Sequence, residues 1–280
     1  MALVPFKKSD AVDSLGQHDG GAVEPADPED DLDGRMSFLD HLDELRKRLT
    51  HAIVALLVGF VAAFAFAQQA QEFVMRPLVA TLPPGAEFVF TEPGEQFFLY
   101  IKIAAILGLL IASPYVMLQV WLFIAPGLYA NEKKMAVPFV LFSSGLFAAG
   151  AAFSHYLAFP MAFQFFASFQ TPQVRFLPRI APVFSMYAWL LLAMGVMFQL
   201  PMLVMVLARL GLVTAGFLAR NIKYAVLIIF IVAAIASPGG DPVSQTVTAA
   251  PMLVLYVISI GVAWIFQKKR RTDDDEDDKK

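Results

Sequence analysis

The chain has no cysteine in its 280 residues, which removes disulfides, thiolate nucleophiles and cysteine metal sites together. Charge is scarce as well: 16% of the residues are Asp, Glu, Lys or Arg, against about 25% in a soluble globular chain. No G-x-S-x-G elbow, H-E-x-x-H helix or glycine-rich phosphate loop occurs, and no apolar run carries the mid-span acid that an intramembrane aspartyl protease needs. The four histidines, His18, His41, His51 and His155, are scattered. His155, alone among them at membrane depth, is expected to bond a neighbouring helix rather than relay protons. The halves show no self-similarity of the kind that marks many secondary transporters. An enzyme, a cofactor, a metal site and a nucleic-acid partner are therefore not expected. The first residues are acidic rather than basic, so a cleaved leader is not expected either.

What is present is apolar. Hydrophobic residues make up 58% of the chain and its mean hydropathy is +0.63, which points to an all-α integral membrane protein. The net charge of −3 misleads, because the acids crowd into residues 1–34 and into DDDEDD at 273–278. Between these tails the bases outnumber the acids. We read residues 1–34 as a disordered acidic extension, 35–267 as the membrane domain and 268–280 as a charged cytoplasmic tail, since one-sign polar segments cannot repay their ordering entropy.

Six spans are expected, at 49–68, 97–129, 135–169, 183–207, 223–236 and 247–266, with a kink at Pro114 and prolines at 138 and 160 in the third. The fifth and sixth are the short ones. The fifth has 14 residues, or about 21 Å at 1.5 Å per residue, against a hydrocarbon core of about 30 Å. Either the bilayer thins there or the hairpin stops short of the far side. Residues 69–96 and 170–182 read as loops on that far side. Leaving aside Lys7, Lys8, Lys279 and Lys280 at the chain ends, thirteen bases lie before span one, between spans two and three, between four and five, and after span six. The positive-inside rule then puts both termini in the cytoplasm.

The segment before span one, SFLDHLDELRKRL (37–49), has Phe38, Leu42, Leu45 and Leu49 at helical spacing and Ser37–Asp40 in a capping-box pattern. Asp43–Lys47 and Glu44–Arg48 are acid-first pairs at i,i+4. Acids beside an anionic leaflet, here Asp40, Asp43, Glu44 and Glu132, either neutralise neighbouring bases or receive a cationic partner, and arginine is the strongest carboxylate binder. Gln199, two residues before Pro201, either repairs a proline kink or faces a partner helix; both readings stay open.

Four strings in order, HLDELRKRL (41–49), QVWLFIAPGLYANEKK (119–134), VPFVLFSSGLFAAGAAFSHYLAFPMAFQF (137–165) and DPVSQTVTAAPM (241–252), together resemble the TatC family. That family is the polytopic subunit of the twin-arginine (Sec-independent) protein translocase of the bacterial cytoplasmic membrane. The resemblance runs over about 36–267 and leaves out both tails. It implies six spans forming a concave, glove-like scaffold with both termini inside. It implies a receptor for the twin-arginine signal peptides of folded cargo, self-associating in lipid and recruiting single-span partners of the TatA and TatB type, with transport driven by the proton-motive force. Carried over by motif, the signal-peptide residues are Glu44 and Arg46 in the opening helix and Phe123 and Glu132 in the first cytoplasmic connection. Gln199 stands where the family often has a glutamate, which puts a protonatable switch in doubt but keeps a polar contact. Asp241 holds its place at a tight turn although the usual preceding proline pair is changed, and Pro77 matches a proline with a structural role. The rival readings from the residues alone are a small multi-span secondary transporter of an unidentified solute and a passive scaffold.

Overall fold

The computed structural model describes residues 38–82, 86–124, 136–171, 173, 176–237 and 239–266. The regular structure of the described residues is helical, and Val89 and Arg179 form an isolated parallel bridge between two connecting segments. In chain order the helices are α1 (Phe38–Phe64), α2 (Ala67–Ala80), α3 (Glu95–Ile124), α4 (Ala136–Phe153), a π-helical turn (Ser154–Ala158), α5 (Phe159–Ala167), α6 (Ile180–Met197), α7 (Leu200–Arg209), α8 (Ala215–Arg220), α9 (Ile222–Ala236) and α10 (Pro242–Phe266). Five stretches are long and apolar enough to cross a membrane, namely His41–Phe64, Glu95–Ile124, Val137–Ala167, Ile180–Arg209 and Pro242–Phe266. A multi-pass membrane protein follows from their length and composition.

The prolines expected to break spans behave in three ways. Pro114 lies inside α3, which runs on for 30 residues. Pro160 cannot donate to the Tyr156 carbonyl, and just before it the chain takes one wide turn in which the Phe159 N–H bonds the Ser154 carbonyl five residues back. Pro201 marks a real break: Gln199 N–H reaches only as far as the Val196 carbonyl, 3.0 Å, and α7 restarts with the proline in its first turn.

Three boundaries differ from expectation. The charged opening segment and the first span are one helix of 27 residues, since nothing between Leu45 and Ala55 breaks helical hydrogen bonding. Residues 69–80, read as loop, belong to α2, whose Val74 and Leu78 are buried; a stretch with three glutamines carries too little hydropathy to signal a span. The sixth span is not short. It has 25 residues, because Pro242 at its first position extends it backwards from 247. The fifth is short as expected, at 15 residues.

Close packing between helices rests on small residues, as in membranes generally. A Cβ on Gly150 of α4 would meet the Met194 carbonyl oxygen of α6 at 2.6 Å, and one on Gly59 of α1 would meet the Gly108 oxygen of α3 at 2.5 Å. The largest core cluster draws on α2, α3, α5 and α6, centred on Leu78, Leu99, Ile103, Phe159, Phe184 and Met194.

Candidate functional site

α1 carries Glu44, Arg46, Lys47 and Arg48 in its first three turns. Glu44 pairs with Arg48, whose Nε and Nη2 both donate to Oε1, at 3.3 and 3.0 Å. This is one of the two acid-first pairs expected. Lys47 joins no ion pair among the described residues. Arg46 is exposed and its carbonyl accepts the Thr50 hydroxyl at 2.8 Å. Leu45 and Leu49, the middle of the expected apolar stripe, are exposed, so α1 offers an uncovered apolar flank beside Glu44. Phe123 sits half-buried in the last turn of α3. Glu132, the expected carboxylate on the other side of the site, lies outside the described residues, as do the Ser37 cap and both tails.

Gln199 makes a bond between helices. Its Nε2 donates to the Ser143 carbonyl at 2.8 Å, 56 residues away in α4, so the amide ties the third apolar stretch to the fourth across the α6–α7 break. Interhelical bonds of this kind average about 0.6 kcal/mol in membranes. A glutamate here could donate to that carbonyl only while protonated. Gln199→Glu is therefore expected to make stability pH-dependent, with the tie present at low pH and lost as pH rises, whereas Gln199→Leu lowers stability at every pH. Thermal unfolding of both variants across pH 4–8 separates the two behaviours.

Asp241 caps a helix. Its two carboxylate oxygens accept the Ser244 N–H at 3.3 and 3.0 Å, and its carbonyl accepts the Gln245 N–H at 3.0 Å. It is the N-cap of α10, with Pro242 at the first helical position. Asp241→Ala is expected to cost about 0.5–2 kcal/mol, read as a lower unfolding midpoint with the Asn variant close to wild type. Pro77 lies within α2, half-buried.

Two further polar clusters join helices, one expected and one not. His155, buried in the π-helical turn, shares a 2.9 Å hydrogen bond through Nδ1 with the Tyr187 hydroxyl of α6 and stacks on Phe73 of α2. The expectation that it bonds a neighbouring helix is met. At the opposite end of α6, Arg179 contacts Glu95 at 2.6 Å and Glu92 at 3.2 Å, and Thr91 N–H donates to the second Glu95 oxygen at 3.0 Å. The Val89–Arg179 bridge aligns them: Ile180 N–H bonds the Val89 carbonyl and Val89 N–H the Pro178 carbonyl, at 3.0 and 3.2 Å. Acid and base stand more than 80 residues apart, and no local pattern announces such a pair.

The comparisons with known proteins agree on the family. The family model for the Sec-independent protein translocase protein (TatC) matches residues 40–251, a stretch that includes Glu44, Arg46, Phe123, Glu132, Gln199 and Asp241. The Sec-independent protein translocase protein TatC of Koribacter versatilis is 39% identical over 239 residues, covering 84% of this chain and 88% of that one. Its counterpart in Helicobacter pylori strain J99 is 41% identical over 223 residues, covering 80% and 87%. Among solved structures, a crystal structure of the twin-arginine translocase receptor TatC in DDM superposes with a TM-score of 0.71 at 36% identity, over 80% of this chain and 99% of that one. On sequence and fold alike, the chain belongs to the TatC family of Sec-independent protein translocase proteins.

Proposed function

We propose that this chain is the receptor subunit of a twin-arginine translocase in a bacterial cytoplasmic membrane, with both termini in the cytoplasm. It binds the twin-arginine signal peptide of folded cargo and recruits TatA- and TatB-type single-span partners. It catalyses no reaction of its own, and transport draws on the proton-motive force. The observation that carries the reading is Glu44. Its Oε1 already grips a guanidinium, that of Arg48, which leaves Oε2 to a second one. Carboxylate and guanidinium are matched in shape as well as in charge, and the uncovered Leu45 and Leu49 beside the pair suit the apolar stretch of a signal peptide.

A labelled twin-arginine signal peptide should bind the purified chain in nanodiscs, and a twin-lysine version should bind far more weakly, because an ammonium cannot form the forked pair. Equal binding of the two peptides would reduce the contact to plain charge attraction and overturn the receptor assignment.

A further inference from the structure

At the membrane face where α3 and α6 begin, a cleft of about 460 Å³ opens between the two helices. Its polar lining is charged and balanced. Arg179 is held by Glu95, whose side chain is 5% exposed, and by Glu92, which is 73% exposed. Lys102 lies about two turns further in along α3. Its ammonium donates to the Ser185 hydroxyl at 2.9 Å, and among the described residues no carboxylate lies within ion-pair distance of it. That hydroxyl donates onward to the Ala181 carbonyl at 2.8 Å, so it offers Lys102 a neutral acceptor only. An ammonium at the edge of the hydrocarbon, neutralised by nothing nearer than a hydroxyl, calls for an anion. The Glu92 carboxylate, mostly exposed and sharing Arg179 with Glu95, calls for a cation.

The geometry points to a zwitterionic phospholipid headgroup as the occupant, specifically one with a primary ammonium, phosphoethanolamine. We propose that its phosphate accepts from Lys102 and its ammonium donates to Glu92. The order along the membrane normal fits. Glu92 precedes α3, while Lys102 lies seven residues beyond the first residue of that helix, about 10 Å inward at 1.5 Å per residue, and its side chain reaches back outward by snorkelling. Ammonium outermost, phosphate below it and chains beneath is how such a lipid lies in a leaflet. The apolar wall continues the match: Phe98, 60% exposed, lines the same cleft and faces where an acyl chain begins. A purely anionic headgroup would satisfy Lys102 but meet Glu92 as a like charge. A quaternary choline would have no N–H to donate to it.

The test uses the full chain in nanodiscs of equal phosphatidylethanolamine, phosphatidylcholine and phosphatidylglycerol, transferred to mild detergent, with the retained lipid identified by native mass spectrometry. The ethanolamine lipid is expected to be retained about tenfold over either of the others, the worth of one good contact. Lys102→Gln should lower its retention about tenfold. Glu92→Gln, which leaves Arg179 paired with Glu95, should erase the preference for ethanolamine over choline while leaving choline-lipid retention and the unfolding midpoint unchanged. Preferential retention of phosphatidylglycerol by the wild type would show an anion site and overturn the proposal. Equal retention of all three, or a wild-type pattern in both variants, would show ordinary surrounding lipid and overturn it too.

Discussion

Gly150→Ala is expected to unfold at a markedly lower temperature than wild type, while Gly145→Ala, on the same helix, holds its midpoint or gains. The two substitutions add the same methyl group to α4. At Gly145 the new Cβ meets nothing within 4 Å, and replacing glycine in a helix interior is worth about 0.5–1 kcal/mol. At Gly150 it would lie 2.6 Å from the Met194 oxygen, 2.9 Å from the Met194 carbonyl carbon and 2.9 Å from Phe198 Cγ. Two of those three are backbone atoms of α6, which cannot step aside without moving the helix. Overpacking of this kind costs typically 1–3 kcal/mol and occasionally more. The damage spreads, because the same approach of α4 to α6 lets Gln199 reach the Ser143 carbonyl two turns away. Unfolding midpoints of the purified variants in one detergent decide the matter; matching losses at both positions would mean that α4 and α6 are not in close contact there.

The second large effect concerns peptide binding. Glu132→Ala should cut affinity for a twin-arginine peptide by about 2–5 kcal/mol, from some thirtyfold to several thousandfold, as removal of one member of a desolvated arginine–carboxylate pair does. Glu44→Ala should also weaken binding, for a compound reason. It removes a carboxylate and leaves Arg48, its 3.0 Å partner, unneutralised beside two incoming arginines. The double variant is the informative one. If each arginine of the peptide has its own carboxylate, the two losses add. If one guanidinium sits between Glu44 and Glu132, the double variant loses less than the sum. Isothermal titration of the four proteins with a single peptide gives the coupling directly, and normal binding by Glu132→Ala would remove that residue from the site.

Membrane character, helical content and span positions could be read from hydropathy because a membrane imposes one requirement, length of apolar helix, on every crossing. The charged helix before span one and its Glu44–Arg48 pair are local features of i,i+4 spacing, and they stand in the structure as expected. The features that were missed depend on distant partners. Gln199 could be recognised as polar and out of place, but its acceptor, a backbone carbonyl in α4, has no side-chain signature at all. Arg179 and Glu95 meet only because a short backbone bridge aligns two loops. Most of helix α2 was read as loop because, at an edge, amphipathic packing against Leu99 and Ile103 decides what hydropathy does not.

The unbroken course of α1 has a mechanical consequence. From Glu44 to Phe64 the backbone is one helix, about 30 Å of rod at 1.5 Å per residue, with no proline, wide turn or other compliant joint along it. Where it touches α3, at Gly59 and Gly108, no side chain intervenes, and the contact lies much nearer the Phe64 end. Such a rod works as a lever on a fulcrum with unequal arms. A lateral pull on the long arm, where a peptide would grip Glu44, swings the short arm the opposite way and through a smaller arc. A force applied at Glu44 would thus be delivered, amplified, at the Phe64 end.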